Sequence, residues 1–282
     1  MRYATIAIEN EHRLAQVGED GNWRPALDGT TLRDLIEGQL PAAFGDPVPE
    51  PDFVLPYRPP TIYGIGLNFY DTVRDMGWDA PEQPYLFPKL SSSACGPYDD
   101  IVVDETLTTR ADWEAELAVV IGQQVRNLAP ESTSTAIFGY TAANDISARD
   151  LQAADGQWLR GKGLDTFCPL GPAVVTADEI PDPQNVGIRT WLDGELVQDG
   201  NTADMIFTIA ELISYCSRHF TLYPGDMILT GTPAGCGDFR NPPIALRPGN
   251  IVEVEVAGIG RHRNKVAAPG KPAGAGADSI SN

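Results

Sequence analysis

The stretch Asp112-Trp113-Glu114-Ala115-Glu116-Leu117-Ala118-Val119-Val120-Ile121-Gly122 places two carboxylates, at i and i+2, at the head of a run that is otherwise apolar. Read as a strand, its period of two puts Glu114, Glu116, Ala118 and Val120 on one face and Ala115, Leu117, Val119 and Ile121 on the other. The two carboxylates then stand side by side. In a helix they would lie roughly 200° apart around the axis, and the β-branched Val-Val-Ile run disfavours a helix in any case. Two adjacent anions repel, so burying them together requires a proton or a cation between them, and an oxygen-only ligand set suits Mg²⁺, Mn²⁺ or Ca²⁺ better than zinc. An edge strand carrying two solvated glutamates is the competing interpretation.

The chain's 282 residues suffice for one large domain or two smaller ones. No run of about 18 apolar residues occurs, so no membrane span is expected. The stretch Met1-Arg2-Tyr3-Ala4-Thr5-Ile6-Ala7-Ile8-Glu9 lacks the pattern of a signal peptide, which leads to the expectation of a cytosolic protein. Cys95, Cys168, Cys216 and Cys236 are widely spaced and indicate neither zinc nor a disulfide framework. A formal net charge of −19 argues against nucleic acid and against anionic membranes as partners. Only four lysines are present, and two of them, Lys89 and Lys162, fall inside motif-like stretches.

Residues 1 to about 58 read as a small α/β domain and linker: a hairpin, a short helical pattern between Leu27 and Leu40 with Thr30 or Thr31 as N-cap, then a proline-rich loop. His12 is expected on the surface. From Thr61 the chain reads as a strand broken by Gly64 and Gly66, where close backbone approach is a safer interpretation than a nucleotide loop, because the third glycine is missing. A short helix from Phe69 to Met76 follows, with Asn68 as its cap and Gly77 as its stop, and Thr72 and Asp75 share one of its faces. Val186 to Gln198 reads as a hairpin with Asp193-Gly194 at the turn, and Ile206 to Phe220 as an amphipathic helix, with His219 at its end. Glu253 and Glu255 repeat the i, i+2 spacing in an alternating strand and are expected to be solvated. The stretch 267–282, rich in Gly, Ala and Pro, reads as a flexible tail.

Asp145 ends an apolar strand and is placed to supply a third carboxylate, while Arg149, Gln152 and Lys162 offer donors for an anionic substrate. Lys89, after the apolar Tyr85-Leu86-Phe87-Pro88, is a further candidate for pairing with a substrate carboxylate, the alternative being a lysine that reaches to water.

Gly66-Leu67-Asn68, Leu86-Phe87-Pro88-Lys89, Glu114-x-Glu116-Leu117, Asn144-Asp145-Ile146-Ser147-Ala148-Arg149-Asp150-x-Gln152, Gly161-Lys162-Gly163-x-Asp165-Thr166 and Gly231-Thr232-Pro233-x-Gly235 together resemble the fumarylacetoacetate hydrolase family, in order and spacing, from about residue 60 to 266. The resemblance implies an α+β, mostly β fold, with a mixed β-sheet roll over 59–266, usually as a homodimer. It also implies a divalent metal held by Glu114, Glu116 and Asp145. Substrates of that family are small anionic 2-oxo and 2,4-dioxo acids. By the same resemblance Lys162 would hold the substrate or the developing anion, Thr232 would bind the substrate carboxylate, and Lys89, Arg149 and Gln152 would line the rest of the site. Arg149 has a structural alternative, bracing a loop through Asp150.

One departure bears on the reaction. Hydrolytic members carry a histidine and, three residues later, a glutamate on the short helix after Gly-x-Asn-Tyr, and this pair activates water. Here those positions hold Thr72 and Asp75. A threonine hydroxyl is no general base near neutral pH without a neighbouring activator. Family frequency places hydrolytic cleavage of an acylpyruvate-type C–C bond first. Thr72 favours instead a decarboxylase, isomerase or dehydratase, and a non-catalytic ligand-binding protein is the alternative from another class.

Overall fold

The computed structural model describes residues 1–9 and 11–270. Its class is the expected one, α+β and mostly strands, in two large sheets. The larger sheet has ten strands, in the order Trp23–Pro25, Glu11–Val17, Arg2–Ile8, Val174–Thr176, Ile137–Asn144, Ala115–Ile121, Met227–Leu229, Ile62–Gly66 and Tyr85–Lys89, with Asp52–Phe53 pairing from the side onto Arg2–Ile8. It is mixed: Met227–Leu229 runs parallel to Ile62–Gly66, and the pairs beside it are antiparallel. The strands of the first sixty residues extend this sheet through Arg2↔Val175 and Tyr3↔Val174.

Ala115–Ile121 lies near the middle and is buried along its whole length. Its alternation is the one the sequence dictates: Ala115, Leu117, Val119 and Ile121 pack into one apolar cluster, Ala118 and Val120 into another on the opposite side. A strand covered on both faces must be apolar on both, which accounts for the Val-Val-Ile run. Across the first cluster lies the second sheet, ordered Glu195–Asn201, Gly187–Leu192, Ile251–Val256, Gly260–Ala267 and Ile101–Val102. Its hairpin turns at Asp193 and Gly194, both at positive φ, as Asp-Gly turns require. Glu253 and Glu255 face outward there, pairing with Arg261 and Arg189. The helix Ile209–His219 closes one side of the first cluster, and Thr208 and Glu211 form a capping box at its start. His12 and His219 are exposed, as expected.

Asn68 departs from its expected role. The short helix spans Tyr70–Asp75, and its cap residue is Phe69, whose side chain makes no capping bond. The Asn68 side chain instead donates to Thr230 O at 2.8 Å and Phe207 O at 3.1 Å and accepts from Phe207 N at 2.8 Å. A buried amide with three backbone partners is worth more there than at a solvated helix end. The glycines of Ile62–Gly66 mark close approach: a Cβ on Gly64 would come within 2.2 Å of the Phe87 ring, and one on Gly66 within 2.8 Å of the Trp158 ring. Of the expected tail, Ala267 ends the last strand, and 271–282 lie outside the described residues.

Candidate metal centre and substrate cleft

Four strand ends converge where the chemistry gathers. Ala115 pairs with Asn144 and Ala118 with Leu229, so the start of the glutamate strand meets the ends of its two neighbours, and Gly64 pairs with Leu229 beside them. The chain leaves regular pairing at Trp113 and Glu114, which frees the Glu114 carbonyl to accept from Asp145 N at 2.8 Å while its N–H donates to Asn144 Oδ1 at 3.0 Å. Glu114, Glu116 and Asp145 thereby bring ligand oxygens within 4.8 Å of one another, and all three residues are buried.

The carboxylates are not equivalent. Burial, reinforced by Asp145 and Glu114, pushes the Glu116 carboxyl well above its ordinary value; its Oε2 accepts from Gly231 N at 2.6 Å, and its Oε1 has no hydrogen-bond partner among the described residues. Burial would also raise Asp145, but the ammonium groups of Lys162 and Lys89 outweigh it and hold that carboxyl below the ordinary value. Lys162 Nζ stands 2.8 Å from both Glu114 Oε2 and Asp145 Oδ2. Burial alone would lower its pKa, and the Asp145 and Glu114 carboxylates more than reverse that. Three buried carboxylates, with Glu116 Oε1 left without a partner among the described residues, all hard donors at mutual ligand distance, fit a divalent cation of the Mg²⁺ type.

The remaining expected residues separate into two groups. Glu114, Arg149, Gln152, Lys162, Thr232 and Thr72 line one cleft of about 200 Å³. Lys89 and Asp75 do not. Lys89 is buried behind the cluster, 2.7 Å from Asp145 Oδ1, and donates to the carbonyls of Ile146 and Lys162. Asp75 is exposed and does not line the cleft. Thr72 is buried, and its hydroxyl donates to Thr232 O at 2.7 Å.

Arg149 braces the site, though through other carboxylates than Asp150. Its guanidinium lies 2.6 Å from Glu114 Oε1 and 3.0 Å from Asp112 Oδ2, and it donates to Gln152 Oε1 at 3.2 Å. Asp112 in turn accepts from Gly237 N at 2.7 Å and Asp238 N at 3.1 Å, so the arginine ties the glutamate strand to the 237–239 turn. Asp150 serves the loop before the strand, accepting from Thr108 Oγ1 and Thr109 N.

Sequence reasoning missed Gln198. Buried in the second sheet, it accepts from Ala115 N at 3.1 Å and Thr190 Oγ1 at 2.7 Å, and donates to Thr232 Oγ1 at 2.9 Å and Pro233 O at 2.7 Å. It fixes Thr232 relative to the carboxylates. A lone glutamine in a hairpin strand carries no signal of this, and its period-two neighbour Leu196 is exposed. Trp158 was also missed. It lies 4.6 Å from the Tyr85 ring centroid and 5.4 Å from that of Phe87, and forms a wall of the cleft just before the helix Leu159–Lys162.

A family model described as fumarylacetoacetate hydrolase C-terminal matches residues 61–267. Mitochondrial oxaloacetate tautomerases of Rattus norvegicus and Homo sapiens are each 43% identical to this chain, over 239 and 240 residues, covering 84% of it and 75% of their own length. Among solved structures, a fumarylacetoacetate hydrolase from the psychrophilic Exiguobacterium antarcticum matches with a TM-score of 0.88 at 35% identity, over 95% of this chain and all (100%) of the other. A 5-carboxymethyl-2-hydroxymuconate delta-isomerase from Mycobacterium smegmatis matches with a TM-score of 0.80 at 32% identity and the same coverage.

Proposed function

The chain belongs to the fumarylacetoacetate hydrolase family, and within it we propose that this protein is a divalent-metal-dependent isomerase that interconverts the enol and keto forms of a short 2-oxo acid such as oxaloacetate. The observation that carries this reading is Thr72. It stands in the cleft where a hydrolytic member has its water-activating histidine, its hydroxyl is spent on Thr232 O, and Asp75 is turned to solvent. Hydrolytic C–C cleavage, first on family frequency, needs an activated water that these residues do not provide. Enolisation needs none: one proton leaves C3, one arrives on the 2-oxo oxygen, and no carbon–carbon bond breaks. The names of the tautomerase and isomerase relatives support the same side of the division.

Glu114, Glu116 and Asp145 would hold the cation, which when bound supplies positive charge to the oxygens of the enolate. Lys162 holds a proton at Nζ on the cleft wall, where it can be given to, or hydrogen-bond, the developing enolate oxygen. Thr232, oriented by Gln198, presents its hydroxyl to the substrate carboxylate. Trp158 and the half-exposed Trp78 narrow the cleft and restrict water.

The test follows enol absorbance of oxaloacetate with and without Mg²⁺, beside an acylpyruvate. Metal-dependent acceleration of the oxaloacetate enol–keto approach to equilibrium, with the acylpyruvate intact, is the expected result. Acylpyruvate cleavage without tautomerisation would overturn the reading.

A further inference from the structure

Among the described residues three cations stand on the cleft wall, and two are already matched by buried carboxylates. Lys162 is held by Glu114 and Asp145, and Arg149 by Glu114 and Asp112. The third is Arg110, which no family motif in the chain includes. Its backbone lies beside Arg149, whose N–H donates to Arg110 O at 2.9 Å where Ala111 pairs with Ala148. Its side chain is 50% exposed and lines the same cleft.

One edge of the Arg110 fork is fixed. Nε and Nη2 donate to the two carboxylate oxygens of Asp238, at 2.9 and 2.7 Å, and Asp238 is itself nearly buried and held through its own N–H by Asp112. The other edge, Nη1, makes no hydrogen bond among the described residues. A planar guanidinium clamped on one side presents its remaining N–H groups in a set direction, the arrangement that suits a second carboxylate. A chain of net charge −19 repels a dianion, so recognising one requires such directed donors.

We propose that Arg110 is the specificity residue for the distal carboxylate of a dicarboxylic 2-oxo acid, the 2-oxo carboxylate end being bound deeper, at the carboxylate cluster. The assignment rests on the reading of the cleft as a 2-oxo acid isomerase site. Because Asp238 offsets the charge of Arg110, the contribution is directional hydrogen bonding more than net attraction.

Oxaloacetate and pyruvate differ only in the distal carboxylate, so the ratio of their dissociation constants isolates this contact. Calorimetry on the Mg²⁺-loaded wild type, Arg110→Gln and Arg110→Lys measures it directly. The wild type is expected to prefer oxaloacetate; Arg110→Gln loses about tenfold on oxaloacetate and nothing on pyruvate, and Arg110→Lys recovers part of the loss. A wild type without preference, or a ratio unchanged in Arg110→Gln, overturns the proposal. Tautomerisation assayed separately on the wild type distinguishes the two readings. If the ratio collapses in Arg110→Gln but no tautomerisation occurs, the isomerase reading fails while the anion site stands. Tautomerisation with an unchanged ratio refutes the anion site alone.

Discussion

The hydroxyl of Thr72 donates to the carbonyl oxygen of Thr232 at 2.7 Å, joining the short helix to the Gly-Thr-Pro loop across 160 positions of sequence. A hydroxyl committed to a backbone carbonyl positions the loop and takes no proton from water. Thr72→Ala is therefore expected to keep oxaloacetate tautomerisation within about tenfold of wild type, whereas loss of a general base would cost about 10²–10⁴. Steady-state enol–keto kinetics on the variant check this.

Glu116 is buried, carries an orphaned oxygen and is already pushed toward its neutral form. Glu116→Gln keeps the bond from Gly231 N and removes a like charge from the cluster. We expect Mg²⁺ affinity to fall by at least about tenfold and turnover to vanish, while the melting temperature of the metal-free protein holds or rises. Calorimetric Mg²⁺ titration and a thermal melt on one preparation separate the two effects.

Gln198→Leu leaves Ala115 N, Thr190 Oγ1 and Pro233 O without their partner. The expected cost is about 2–4 kcal/mol of stability, read from denaturant unfolding. With Thr232 no longer oriented, KM should rise more than kcat falls.

Gly66→Ala puts a methyl group 2.8 Å from the Trp158 ring, which forms a cleft wall. Overpacking of this kind costs about 1–3 kcal/mol, and it moves an aromatic wall of a small cleft. Substrate KM should change in the same variant whose unfolding midpoint falls. An unaltered KM would mean that Trp158 is not a substrate wall.

Burial holds the His262 imidazole down at about 4, against 6.5 for a free side chain, with Asn264 Oδ1 on Nδ1 and no partner on Nε2 among the described residues. A depressed folded-state value means that the unfolded chain takes up the proton first. The stabilisation is complete above pH 6.5 and is lost as pH falls toward 4, by about 3 kcal/mol at most. Unfolding free energy measured from pH 7 to 4 should fall more steeply for wild type than for His262→Asn.

What was legible in the sequence follows from local rules. Glu114 and Glu116 were readable because a period of two and an apolar run fix which face they share. The glycines at 64 and 66 were readable as close approach, although their partners, Phe87 and Trp158, were not. Lys89 and Asp75 show the limit. Both sit in motif positions, yet one is turned behind the cluster onto Asp145 and the other toward water, because side-chain direction depends on strand twist and helix phase that spacing alone does not fix. Gln198 and Asp112 act through backbone groups 83 and 125 positions away, so their roles exist only once the sheets are stacked.

Met227–Leu229 is only three residues long, yet it fills the slot between Ala115–Ile121 and Ile62–Gly66. Until those residues emerge from the ribosome, Ala115–Ile121 and Ile62–Gly66 are each paired along one edge only, with the other edge open. A chain cut before residue 227 would therefore be prone to self-association rather than a partly active enzyme, because the site cannot assemble before Met227–Leu229 is in place.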